Sequence, residues 1–340
     1  MKNTLKKIIC VVMALFMMTV VFASCGETGT ETTAPAGDET TAGTADGTVY
    51  TVGICQLVQH DALDAATEGF KKALTDKLGE NVKFDEQNAS NEATNCTTIC
   101  GKFVSDKVDL IMANASPALT AAATATADIP IVATSITDFA TALDIADWTG
   151  ASGINVTGTA DLAPLDQQAQ MIKELCPDAK TVGILYCSAE ANSKYQSDVI
   201  TGYLKDLGLE AKEYTFTDSN DIASVTTTAA EECDVLFAPT DNTVANNAEA
   251  IANVLEPAGV PLVAGESGIC KGCGIATLSI SYYDIGYKAG EMAYEILVND
   301  ADPATMKVEY ATDLTKMYMA DRCTALNITV PDTYEAIVTE

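Results

Sequence analysis

Histidine and tryptophan are almost missing from this chain of 340 residues, which holds one of each, His60 and Trp148. Acid–base chemistry or a zinc site needing two or more histidines has no material, and a Ser-His-Asp triad would have to be built on His60. Positive charge is scarce as well, with 19 Lys+Arg against 48 Asp+Glu and a net charge of −29. Such a surface repels phosphate backbones and anionic headgroups, so nucleic acid is excluded as a partner and charge alone does not hold the chain on a membrane. No P-loop, GxSxG or HExxH run occurs, and the glycines of residues 265–274 do not form GxGxxG. No catalytic residue, metal or cofactor is therefore expected, and a binding function fits these absences.

Cysteine is present but does not form a framework. Of 11 cysteines, Cys10 and Cys25 fall in the leader region, and the odd remainder cannot all pair. Most of them sit at apparent core positions and read as small apolar residues. Cys96 and Cys100 are one helical turn apart, and Cys270-x-x-Cys273 has the spacing of a reducible disulfide or half a metal site.

The first segment reads as an export signal. Lys2, Lys6 and Lys7 precede an apolar run over residues 8–23, which closes on Phe22-Ala23-Ser24-Cys25-Gly26. The run is short for a spanning helix. It resembles a bacterial lipoprotein signal over residues 1–24, which implies a lipidated Cys25. Residues 26–48 hold five acids and no Val, Ile, Leu, Met or aromatic residue, so they bury nothing and are expected to form a disordered tether. At 23 residues its reach is roughly 27 Å.

The body repeats itself. Thr51-Val52-Gly53-Ile54 recurs 130 positions later as Thr181-Val182-Gly183-Ile184. Asp109-Leu110-Ile111-Met112-Ala113 matches Asp234-Val235-Leu236-Phe237-Ala238, and Ile129-Pro130-Ile131-Val132-Ala133 matches Val260-Pro261-Leu262-Val263-Ala264. Each is a short apolar run of the kind a strand buried on both faces shows, and helical patterns at 62–78 and 195–207 lie between them. Alternating strands and helices predict an α/β fold of two doubly wound parallel-sheet lobes facing each other across a cleft. Ligands of such lobes sit beyond the carboxyl ends of the strands.

Those strand ends fall at residues 56–61, 114–117, 134–138, 187–193, 239–243 and 265–267, nearly all rich in Ser, Thr, Asn and Asp. Asn114 and Asn242 belong to them. Ser116 before Pro117 reads as a helix cap, as does Asp241 with its neighbours. Exposed helix N-termini suit a ligand carboxylate, while Asp241, Glu190 and Glu266 are the candidates to neutralise an ammonium group. Tyr186, Phe139 and Tyr282 are candidate aromatic walls. His60 either braces its loop, the favoured reading, or lines the cleft, and Trp148 either packs beneath a loop, again the favoured reading, or stacks on a ligand.

Several segments resemble the ABC-transporter substrate-binding lipoproteins of the tryptophan/tyrosine type, over about residues 49–330. They include Gly53-Ile54-Cys55-Gln56, His60-Asp61-Ala62-Leu63-Asp64, Glu190-Ala191-Asn192-Ser193 and Pro239-Thr240-Asp241-Asn242-Thr243-Val244. The resemblance implies a type I periplasmic-binding-protein fold with a three-strand hinge, and a ligand closed between the lobes that is an amino acid, by family an aromatic one. Matched positions imply Gln56, Ser116, Thr137, Asp138, Glu190, Asn192, Ser193, Asp241 and Glu266 as lining residues. The sequence departs from the family pattern at Ser116, at Phe139 and in the Cys270-Lys271-Gly272-Cys273 segment. Lobe boundaries are expected at 49–160 plus 282–305 and at 161–281 plus 306–340, with crossings near Asp161, Ser281 and Lys307.

The implied role is an extracytoplasmic, lipid-anchored, monomeric receptor that hands its solute to an ABC permease and its ATPase. Ligand sensing for a membrane partner, or transport of a nucleoside or sugar, are the alternatives on the same fold.

Overall fold

A computed structural model describes residues 47–338; the expected signal sequence, Cys25 and nearly all of the tether lie outside them. The first lobe begins with β1 (Tyr50–Gln56), α1 (Asp61–Leu78), β2 (Val82–Asn88), α2 (Ala93–Asp106) and β3 (Leu110–Asn114). It continues with α3 (Ser116–Ala125), β4 (Ile131–Ile136), α4 (Phe139–Leu143) and β5 (Val156–Ala160). The second lobe repeats the plan with α5 (Leu165–Leu175), β6 (Thr181–Cys187), α6 (Ala191–Asp206), β7 (Glu210–Phe216), α7 (Ile222–Glu232) and β8 (Val235–Ala238). Then come α8 (Asn242–Asn246), α9 (Ala248–Ala258), β9 (Leu262–Ala264), α10 (Ser267–Cys273) and β10 (Ala276–Ser279). The chain ends with α11 (Tyr282–Asn299), β11 (Glu309–Tyr310), β12 (Thr315–Tyr318), α12 (Ala320–Ala325) and β13 (Glu335–Ala336).

The internal repeat becomes two sheets that share one order over five strands and differ at one edge. One runs β11-β5-β4-β3-β1-β2 and the other β13-β12-β10-β9-β8-β6-β7. The repeated apolar segments fall on β1 and β6, β3 and β8, and β4 and β9, whose residues are almost all buried because helices cover both sheet faces. Among the described residues all sheet pairings are parallel except β10 with β12.

The chain passes between the lobes at residues 161–164, 280–281 and 311–314. The third passage lies beyond the expected Lys307. Val308 N still donates to Gly150 O at 2.8 Å, and β11 pairs with Thr159 and Ala160 of the first sheet.

After the second passage, α11 returns to the first lobe and packs backbone to backbone on α1. A methyl group on Gly286 would stand 2.0 Å from Ala66 O, and one on Gly69 2.1 Å from Tyr283 O. Glycine is what lets the two helices touch there.

The nine cysteines of the described residues are all free, and all but the half-buried Cys176 are buried. Cys270 and Cys273 lie inside α10 as unpaired core residues. Trp148 packs against the first-lobe core and stacks on Phe139 with ring centroids 6.2 Å apart. Phe139 is thus spent on internal packing, and Tyr186 donates its hydroxyl to Glu213, so neither forms the expected ligand wall. Among the described residues no helix is long and apolar enough to cross a membrane.

Candidate functional site

The strand ends of both lobes meet at a small inner pocket. Its cavity is about 20 Å³, and from the first lobe it is lined by His60, Ser116, Ser135, Thr137, Asp161 and Tyr282. The second lobe contributes Asn192, Thr240, Asp241, Asn242 and Glu266. Outward lies a larger groove of about 510 Å³, which shares Ser116 and Asn192 with the inner pocket. Its walls mix small apolar residues, Ala93, Pro117, Ala121 and Ala142 on one side and Ala189 and Ala191 on the other, with threonines and the carboxyls of Asp138 and Asp144.

The lobes touch around this site. His60 Nε2 lies 3.3 Å from Asn242 Oδ1, Asn91 Nδ2 donates to Thr243 Oγ1 at 3.1 Å, and the hydroxyls of Thr137 and Thr240 are 3.4 Å apart. At the rim Lys271 Nζ reaches Asp61 at 3.2 Å.

Local structure aims several of these groups. At the end of β4 the register with β5 shifts between Ala133 and Ile136, and Ser135 takes φ +58°, which turns its side chain to the pocket. Ala115, at φ +84°, is the residue that enters α3, so Ser116 is the first helical residue rather than the expected cap. The proline after it fits the first turn, where its missing N–H costs nothing.

The acids expected to meet an ammonium group are occupied by the protein itself. Glu190 accepts from Asn242 N and Nδ2 at 3.0 and 2.7 Å and from Thr243 N and Oγ1, both at 2.8 Å. It pins the start of α8 and lies outside the pocket lining. Asp241 caps the same helix through Val244 N at 2.8 Å and also accepts from Cys187 N at 2.7 Å. Glu266 caps α10, accepting from Gly268 N at 2.5 Å and from Ile269 N. Burial pushes the carboxyls of Asp241 and Glu266 up, in Asp241 with help from the nearby Glu190 charge.

Other expected lining residues also have structural employment. Gln56 donates to Val58 O at 2.9 Å and accepts from Thr67 at 2.6 Å; Asn114 donates to Leu63 O at 2.8 Å and to Thr67 at 2.9 Å. The pair ties α1 to its sheet behind the pocket. Ser193 is buried beside Asn192 without lining the pocket, and Asp138 caps α4 through Thr141 N at 2.7 Å and faces only the outer groove. Ser116, Thr137, Asn192, Asp241, Asn242 and Glu266 do line it.

Asp161 is the acidic lining residue that the sequence marked only as a lobe crossing. It follows β5 at a lobe crossing, is 5% exposed, and accepts from the Tyr282 hydroxyl at 2.9 Å through Oδ2. Burial pushes its carboxyl up to about 6, against the opposing pull of the Tyr282 and Thr137 hydroxyls. Oδ1 has no hydrogen bond of good geometry. Three more buried polar atoms of the lining lack a partner, His60 Nδ1, Ser135 Oγ and Asn192 Oδ1. Only three such atoms lie elsewhere among the described residues, so unsatisfied polarity is concentrated where the lobes meet.

Known proteins place this architecture. A family model described as ABC transporter substrate binding protein matches residues 51–339. A tyrosine-binding protein of Clostridioides difficile is 39% identical over 249 residues, 72% of each chain. Among solved structures, an ABC domain from Streptococcus pneumoniae in complex with L-Trp overlaps at a TM-score of 0.82 with 28% identity, over 85% of this chain and all of that one. The ligand-free, open form of a substrate-binding protein with adhesive properties from Clostridium difficile is 36% identical over 86% of this chain and all of that one, yet overlaps at only 0.66. The more similar sequence gives the poorer overlap, as expected when an open form is laid on lobes that touch.

Proposed function

Because this chain belongs to the family of ABC transporter substrate-binding proteins, we propose that its solute is an amino acid, of the aromatic type, captured between the lobes by hinge closure. The observation that carries this reading is the division of the site. Four residues with an unpartnered buried polar atom line an inner pocket of about 20 Å³, and that pocket adjoins a groove of about 510 Å³ with alanine patches on both sides. A ligand with one compact polar end and one bulky apolar end matches both compartments. A sugar, with hydroxyls all round, could pair with the threonines and carboxyls of the groove but would leave hydroxyls against Ala93, Ala121, Ala142, Ala189 and Ala191, which is costly. The tyrosine named for one relative and the tryptophan bound by another support the same class.

The lobe contacts supply the mechanism. His60, Asn91, Thr137 and Lys271 each meet a residue of the opposite lobe, so the pocket exists only in the closed form and a ligand that bridges the lobes favours it. The closed form is then what a permease and its ATPase would receive. Cys25, with its lipid, and the tether that follows would hold this receptor at the outer face of the membrane.

A thermal-shift screen of residues 48–340 against the twenty amino acids, nucleosides and common sugars tests the ligand class, since binding to the native state alone raises the midpoint. The expected result is a shift with Tyr, Trp or Phe. Shifts with sugars or nucleosides and none with amino acids would discard the amino-acid reading and keep the family role.

A further inference from the structure

The inner pocket is acidic. Asp161, Asp241 and Glu266 line it, and among the described residues no Lys or Arg does. Two of the three are committed to helix starts: both oxygens of Asp241 accept backbone N–H groups, as do both of Glu266. Asp161 differs. One oxygen is held by Tyr282 at 2.9 Å, which fixes the carboxyl plane, and the other is buried with no hydrogen bond of good geometry, the Thr137 hydroxyl being its neighbour among the residues that line the pocket.

Size selects the group that can meet it. A cavity of about 20 Å³ accommodates one group as large as a water molecule, for which roughly 10–15 Å³ suffices. An alkylammonium head is of that size, carries three N–H donors and accepts nothing. The unpartnered atoms around the cavity supply acceptors to match: Asp161 Oδ1, Asn192 Oδ1 and Ser135 Oγ. A carboxylate in the same place would face three buried acids with no cationic side chain beyond His60 to offset them.

We propose that Asp161 is the counter-charge that selects the ligand's ammonium group, so that recognition is led by the amine end of the solute rather than by its carboxylate. This rests on the amino-acid reading above and narrows it to a specificity-determining residue. The ring of the ligand would then run past Ser116 and Asn192 into the alanine-lined groove. An arylalkylamine that lacks the carboxylate keeps the decisive contact, and an arylpropionate that lacks the amine loses it.

Titration calorimetry on wild type and Asp161→Asn with L-tyrosine, L-tryptophan, tyramine and 3-(4-hydroxyphenyl)propionate tests this. Wild type is expected to bind the amino acid best and tyramine better than the propionate. Asp161→Asn is expected to lose about 30-fold or more for the amino acid and tyramine, since a buried ammonium is left without its counter-charge, with little change for the propionate. Equal affinity of wild type for amino acid and propionate would overturn the assignment without any variant, which covers the case of a substitution that fails to fold. So would an Asp161→Asn protein that keeps wild-type affinity for the amino acid. Wild type that binds none of these but does bind a sugar overturns the amino-acid reading as well, an outcome visible before any variant is made.

Discussion

Lys271 Nζ stands 3.2 Å from the Asp61 carboxylate, joining α10 of the second lobe to the first residue of α1 in the first. The pair closes the rim of the cleft above the hydrogen bonds of His60 and Asn91. Both side chains are half exposed or more, so solvent screens the pair and its worth is at most about 1 kcal/mol. That is still enough to bias an open–closed equilibrium. Lys271→Glu should speed ligand release about 3- to 5-fold, because repulsion acts only when the lobes are shut. The effect should shrink as salt rises, because both side chains are exposed and mobile ions screen them. Stopped-flow release at two salt concentrations checks it; a release rate that ignores both substitution and salt would remove Lys271 from the closing machinery.

Asp161 makes stability depend on pH in a definite direction. Its folded-state value is raised from 3.8 to about 6, so the folded protein keeps a proton through a range in which the unfolded chain has released it. The ligand-free protein therefore loses stability as pH rises from about 4 to about 6, and the full penalty, about 3 kcal/mol, is present at pH 7. Glu266 and Asp241, also raised by burial, act in the same sense. Asp161→Asn, which cannot ionise, should be more stable than wild type at pH 7 and nearly equal to it at pH 4. Urea midpoints at the two pH values decide; a gap that stays constant would mean that the carboxyl is not what titrates.

Glu190 is predicted to act on stability rather than on ligand charge. Four donors from Asn242 and Thr243 converge on its carboxylate. Glu190→Gln would turn an amide N–H₂ toward donors it cannot accept from, at a cost of about 2 kcal/mol. The preference for amino acid over its deaminated analogue should remain. Calorimetric melting combined with that ratio separates the two roles, since an ammonium partner would lose the ratio at constant stability.

How far the sequence spoke depended on whether a property was local. Repeated runs such as Thr51-Val52-Gly53-Ile54 and Thr181-Val182-Gly183-Ile184 carry the pattern of a strand buried on both faces, and two copies at a steady offset carry the two lobes. Polar strand ends located the cleft for the same reason, and six of the eleven expected lining residues are in the inner pocket. Their employment was not local. Glu190 is claimed by residues 52 and 53 positions away, which no spacing rule near it signals. Asp161 becomes a pocket acid only because α11, returning from the other lobe, brings Tyr282 to it across 121 positions. The bulge that re-aims Ser135 leaves no mark on the run Ala133-Thr134-Ser135-Ile136 beyond a serine in an apolar strand. The third passage moved past Lys307 because β11 is two residues long, too short for any periodicity to show.

Gly286→Ala should damage the fold and the site together. The new methyl would meet Ala66 O at 2.0 Å, backbone against backbone, so no side-chain rotation relieves it and α11 must move off α1. Overpacking of this kind costs about 1–3 kcal/mol or more, and the melting temperature should fall by about 3 °C or more. Because α11 begins at Tyr282, its displacement also loosens the hydroxyl that orients Asp161, and amino-acid affinity should drop with stability. Gly202→Ala is the matching control. Gly202 lies within α6 with nothing inside 4 Å of the added methyl, where alanine is the better helix former by up to about 1 kcal/mol. That variant should melt at or slightly above the wild-type temperature and bind normally. If both variants melted alike, close approach of α1 and α11 would not be what Gly286 provides.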